Sequence, residues 1–176
     1  MFESLAALAQ PWADLYASNT TLSTAVIAVH ILGMFVGGGM AIGADRSILR
    51  AAPGSAEAVR AVVADLSSIH SVIIGALVVT FASGAALFAS DVATFSVAKV
   101  YWVKMAFVAL LLVNGVRMRR AERAVLHPLA NIPIHTTEMP VVFPKREWNT
   151  VRSSALVSVA LWLSIVLLGV VLTNNG

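Results

Sequence analysis

The chain is predicted to be an all-α integral membrane protein, a four-helix bundle with both termini outside and a short interfacial helix at its N-terminus. Three observations predict this. First, four long apolar stretches lie at about 20–43, 66–89, 96–116 and 151–173, each near or above the ~20 residues an α-helix needs to cross a hydrocarbon core. Second, 59% of the 176 residues are hydrophobic and 12% charged, with a mean hydropathy of +0.85, too apolar for a water-soluble domain of this size. Third, the basic residues cluster in two connections. Arg46, Arg50 and Arg60 lie between spans one and two. Arg117, Arg119, Arg120, Arg123, Lys145, Arg146 and Arg152 flank the connection between spans three and four. The positive-inside rule then puts both basic connections in the cytoplasm and both termini outside.

The N-terminal segment, FESLAALAQPWADLY, brings Phe2, Leu5, Leu8, Trp12 and Leu15 towards one helical face, interrupted by Pro11. It is expected to lie in the membrane interface with Trp12 and Tyr16 at headgroup level. Its first charges are Glu3 and Asp14, with no Lys or Arg before span one, so it does not look like a cleavable signal peptide. Span one, TTLSTAVIAVHILGMFVGGGMAIG, contains His30 and a glycine-rich strip. After it, Pro53-Gly54 marks a turn, and a short amphipathic helix is expected from about Ser55 into span two. The connection at 90–95 is short, as antiparallel neighbours require. The segment from about 120 to 150 holds four of the six prolines and little helical periodicity, so it is expected to be a long cytoplasmic loop, either a partner surface or a linker. Span four and the tail TNNG complete a single four-span domain over 1–176.

The basic pI near 9.8 is assigned to topology and to contact with anionic lipid headgroups; no nucleic-acid-binding module is visible. Cysteine is absent, which excludes disulfides, iron–sulfur clusters and thiolate metal sites. Candidate chemistry must therefore lie in the polar groups inside the spans, because each costs free energy to place there. Counting at 1.5 Å per residue, His30 lies about 15 Å in from the outer boundary, Lys104 about 12 Å, and His70 about 28 Å. Asn114 stands at a level similar to His70. His30 and Lys104 thus form an outer-to-middle pair, and His70 and Asn114 an inner one.

On a helix, Gly33, Met34, Gly37 and Ala41 share the face of His30. Two readings follow. The small residues leave room for a flat ligand whose metal the imidazole reaches, or the Gly33/Gly37 and Gly39/Gly43 spacing permits close helix packing with His30 as a polar bridge to another span. Lys104 likewise either pairs with a partner at the level of His30 or snorkels outward past Tyr101 and Trp102. His70 is an interfacial histidine or a ligand. The estimated offset of ~13 Å disfavours a single haem clamped by both His30 and His70. Asp45 is expected to turn towards another span while Arg46 meets headgroups. His127, His135 and Glu138 match no zinc motif and are expected to be solvated.

Through AVHILGMFVGGGMAIGADR and YWVKMAFVALLLVNG the chain resembles a group of small bacterial membrane proteins. The group includes the haem-binding protoporphyrinogen oxidase of the HemJ type and the membrane domain of copper-resistance D proteins. The resemblance covers about a quarter of the chain and stops after Asn114. It implies that His30 binds haem and that Lys104 supports activity, at the two positions the depth count pairs. The resulting expectation is a haem b protein of the bacterial inner membrane, redox-active in electron transfer or in porphyrinogen or quinone oxidoreduction. Its cofactor-binding residues would be His30 as iron ligand, Gly33, Gly37 and His70, with Lys104 as the catalytic candidate. The competing expectation is a cofactor-free accessory subunit that meets a protein partner, or a second copy, through the 120–150 loop or the glycine face. A small transporter is the weaker third reading, because no charged chain lines a path through all four spans.

Overall fold

The computed structural model describes residues 2–51, 56–130 and 145–174, with the side chains of 56–68, 126 and 128–130 and of 173–174 excepted. Helix accounts for 97% of it and no strand occurs among the described residues. Six helices follow in order: α1 (Phe2–Ser18), α2 (Thr20–Arg50), α3 (Ala56–Ser90), α4 (Val92–Val97), α5 (Lys99–Ala130) and α6 (Lys145–Asn174). Four contain segments long and apolar enough to cross a membrane: Thr20–Arg50, Ile69–Ser90, Lys99–Val125 and Lys145–Leu172. Helices solve the problem those segments face, since each backbone polar group finds its partner within its own strip of chain.

The distribution of side chains is that of a protein solvated by lipid. Phe35, Val113 and Leu167 are 77%, 68% and 65% exposed, whereas Asp45 and Asn114 are 3% and 7% exposed. In water the first group would be a liability and the second a waste of hydration. In a bilayer the apolar surface meets acyl chains and the polar groups turn to one another.

Three expectations about extent need correction. The helices run past the apolar stretches: α2 continues to Arg50, and α5 to Ala130. Hydropathy marks where the chain is oily, but a helix stops only where something breaks it, and ADRSILR and RMRRAERAV contain no breaker. The expected loop from 120 to 150 is therefore helix up to Ala130 and again from Lys145. Residues 131–144, with His135, Glu138 and three of its prolines, lie outside the described residues, as does the Pro53-Gly54 turn. His127 sits on α5, exposed, rather than in a loop. Finally, the connection at 90–95 contains a helix of its own. Asp91 accepts a hydrogen bond from the Thr94 backbone N–H at 3.0 Å and so starts α4. Asn19 does the same for α2, its Oδ1 accepting from the Leu22 N–H at 3.0 Å.

The chain divides into two compact units, one of Met1–Gly39, Val72–Ala106 and Ile165–Gly176, the other of Met40–Ser71 and Phe107–Ser164. In the first unit α1 packs on α4, and the Trp12 indole N–H donates to the Ala86 carbonyl of α3 at 2.8 Å. An aromatic group gathers there: Tyr101 stacks on Phe88 with ring centroids 5.1 Å apart and meets Trp102 edge-on at 5.4 Å. Such rings suit the headgroup region, where one end of the side chain is apolar and the other wet. The second unit holds a core of small and branched residues around Trp148: Ala44 and Ile48 of α2, Ala121 and Val125 of α5, Val151 and Ala155 of α6. There the Arg152 guanidinium donates to the Leu49 carbonyl near the end of α2 at 3.4 Å, serving one of the carbonyls a helix end leaves without an internal partner.

Candidate functional site

In the first unit α2 and α3 approach closely because α2 offers glycine where α3 offers Thr80 and Ala76. A Cβ on Gly33 would lie 2.5 Å from Thr80 Oγ1 and 3.3 Å from its backbone nitrogen; one on Gly37 would lie 3.2 Å from the Ala76 Cβ. Of the two sequence readings, this is the packing one. α3 takes up the space on the Cβ side of Gly33 and Gly37. Thr80 itself is held in place, its hydroxyl donating to the Ala76 carbonyl at 2.8 Å.

This approach brings His30 onto α3. Its Nδ1 lies 3.1 Å from the Thr80 carbonyl oxygen and 3.1 Å from Ser83 Oγ. A carbonyl can only accept, and the Ser83 hydroxyl is itself in donating range of the Val79 and Thr80 carbonyls. Nδ1 therefore carries the proton, and the neutral ring keeps its lone pair on Nε2. No described residue forms a hydrogen bond with Nε2. The ring rests on Gly84, where a Cβ would stand 3.2 Å from Cε1 and 3.6 Å from Nδ1. Glycine at 84 is thus what allows the imidazole to lie flat against α3.

Lys104 belongs to the same unit. It is half-buried, its charge acts on His30, and its Nζ points at α6, 3.5 Å from where a Cβ on Gly169 would be. The site thus consists of an imidazole with a fixed tautomer and an open Nε2, and a cation close enough to influence it, both among apolar helices.

His70 is a member of the second unit, half-buried, with Nε2 buried and without a hydrogen-bond partner among the described residues, and with Arg119 acting on it electrostatically. Asn114 donates through Nδ2 to the Ser154 carbonyl at 2.8 Å, a partner on α6 rather than His70. No group of three or more His, Asp or Glu able to hold a metal ion occurs among the described residues.

Sequence reasoning did not find Thr80, Ser83, Gly84 or Gly169. The signal for the first three was present: in TFASG, two hydroxyl residues at i and i+3 and a glycine at i+4 share one face of an apolar span, the face a histidine on a neighbouring span would need. Gly169 has no such signal, because nothing in SIVLLGVVL distinguishes a lysine-facing glycine from a packing one. No family model, no curated protein and no solved structure matches the chain.

Proposed function

We propose that this chain is a membrane-embedded haem b protein of the bacterial cytoplasmic membrane, active in electron transfer or in oxidation of a porphyrinogen or quinol, with His30 as an axial ligand. The observation that carries this reading is the state of His30: Nδ1–H committed to the Thr80 carbonyl, Nε2 left with its lone pair. Histidines that ligate metals nearly always donate the other ring N–H to a carbonyl or carboxylate, which fixes tautomer and orientation and raises the basicity of the ligating nitrogen. The donor set fits a haem iron, which a single protein imidazole can hold. When bound, the haem supplies one-electron exchange. The chain's own residues do the rest. Thr80 and Ser83 hold the ring, Gly84 gives it a surface, and the apolar helices keep water away. Lys104 offers an ammonium to a carboxylate, whether a propionate or a substrate acid. The resemblance to the HemJ type, at His30 and Lys104, supports the same assignment.

Gly33 and Gly37 also favour a second reading. A histidine that only bridges two tightly packed spans would serve a cofactor-free accessory subunit, with 131–144 as a partner segment. One preparation separates the two. Wild-type protein purified gently from haem-sufficient cells is expected to show a Soret band, and His30→Ala to lose it while still inserting in the membrane, since insertion depends on the apolar spans. Colourless wild-type protein would overturn the haem reading and leave the accessory one.

A further inference from the structure

The second unit contains a buried carboxylate that the haem reading leaves without a task. Asp45 is 3% exposed. The Ser158 hydroxyl of α6 lies within hydrogen-bonding reach of it, yet its Oδ2 is buried with no hydrogen-bond partner. One turn from Ser158 on the same face of α6 stands Ser154, 0% exposed, whose Oγ is also buried and without a hydrogen-bond partner. That turn is tied to α5 by the Asn114 amide, which donates to the Ser154 carbonyl at 2.8 Å. Two buried oxygens without a hydrogen-bond partner among the described residues, one of them on a carboxylate, therefore lie in the second unit.

The charges make this arrangement more demanding. Among the described residues no basic side chain forms an ion pair with Asp45. Asp45 acts electrostatically on Glu122 of α5, of the same sign, and Arg119 acts on Glu122 with the opposite one. A carboxylate held away from water without a counter-charge is strongly disfavoured, and a second negative charge nearby adds to the penalty. A small cation relieves both. The available donors are a carboxylate and two hydroxyls, all hard oxygens, which select alkali or alkaline-earth ions over transition metals. One carboxylate balances a single positive charge, and no group of three or more His, Asp or Glu able to hold a metal ion occurs among the described residues.

We propose that Asp45, Ser158 and Ser154 form a binding site for a small monovalent cation, for which sodium is the probe. Its residues all belong to the second unit and His30 to the first, and its test is read without the haem.

The test uses the full-length protein in detergent. Thermal unfolding is followed as sodium chloride replaces choline chloride at constant ionic strength, with potassium and lithium as further arms, and binding of radiolabelled sodium is measured directly. A ligand that binds only the folded state raises Tm saturably. The expected result is a saturable rise in wild type and in His30→Ala, no rise in Asp45→Asn, and affinity about tenfold weaker in Ser158→Ala, the loss of a single good ligand. Should Asp45→Asn fail to fold, direct sodium binding to wild type and its weakening in Ser154→Ala and Ser158→Ala decide the matter. Equal effects of sodium and choline, with no saturable binding, would overturn the proposal. So would an infrared carboxylic-acid band, lost in Asp45→Asn, that persists at every sodium concentration, because a proton would then be the occupant. Retention of the sodium effect in colourless protein would leave the cation site standing while the haem reading fell.

Discussion

At the scale of single residues, glycine decides how close the first unit's helices come. Gly33→Ala would drive a methyl group to 2.5 Å from Thr80 Oγ1, which is pinned to the Ala76 carbonyl and cannot swing away. The expected penalty is that of an overpacked contact, about 1–3 kcal/mol, read as a fall in Tm. Thr80→Ala in the same chain should recover part of it, since the two changes meet at one contact and are not additive. Gly39→Ala, where a Cβ meets nothing within 4 Å, is the control and should be close to neutral. Gly84→Ala acts on His30: a Cβ 3.2 Å from Cε1 tilts the ring, and on the proposed haem reading the Soret maximum and haem retention of purified protein should both change. His70→Ala should leave haem content as it was if His30 alone ligates, and its loss would point to ligation by both histidines. How much of this was legible depends on the kind of information needed. Period and depth bring out His30 and Lys104, because an ionisable group inside an apolar span is conspicuous in any alignment of one. Thr80 and Gly84 are ordinary residues in an ordinary span until the neighbour that meets them is known.

At the scale of helices, the sequence marks oiliness well and ends poorly. Four apolar segments were identifiable because lipid imposes a length on them. Their polar extensions were not, since RMRRAERAV and ADRSILR are good helix formers that read as loop once hydropathy falls. α4 was missed for a different reason: six residues carry too little period to separate a turn from a helix, and its start rests on one Asp91 carboxylate. α1 shows how little holds a surface helix. It has no buried residue, Leu8 is 81% exposed, and its polar tie to α3 is the Trp12–Ala86 hydrogen bond. Trp12→Phe removes a bond worth about 0.5–1.5 kcal/mol. Hydrogen exchange in lipid nanodiscs should then speed up across α1 while α6 keeps its protection. Unchanged exchange in α1 would mean that lipid contact, and not the tie, holds it down.

For the whole molecule, the bias of Arg and Lys towards two of the connections sets the expected orientation, both termini outside. The absence of native cysteine makes the test clean, because each engineered thiol is the sole one in the chain. Cysteine at Arg119 and cysteine at Asn174 should react with a membrane-impermeant reagent from opposite faces of oriented vesicles. Reaction from the same face would reverse the positive-inside reading for at least one span. The exposed surface adds a second expectation at this scale. With Phe35, Val113 and Leu167 facing outward, protein moved from detergent to amphiphile-free buffer should precipitate rather than unfold, its helical circular dichroism persisting in whatever stays dispersed.

The division of the tryptophans has an optical consequence. Trp12 and Trp102 belong to the first unit, the latter 47% exposed, while Trp148 and Trp162 belong to the second at 1% and 5% exposed. Each unit therefore carries its own pair of fluorophores, the first with Trp102 exposed and Trp12 half-buried, the second shielded. In bilayers of brominated lipid the outward ring of Trp102 should be dimmed strongly and Trp148 hardly at all. A chain with Trp12→Phe and Trp102→Phe would glow from its second unit alone, and one with Trp148→Phe and Trp162→Phe from its first, so that loosening in either half could be watched by the colour and strength of its own light.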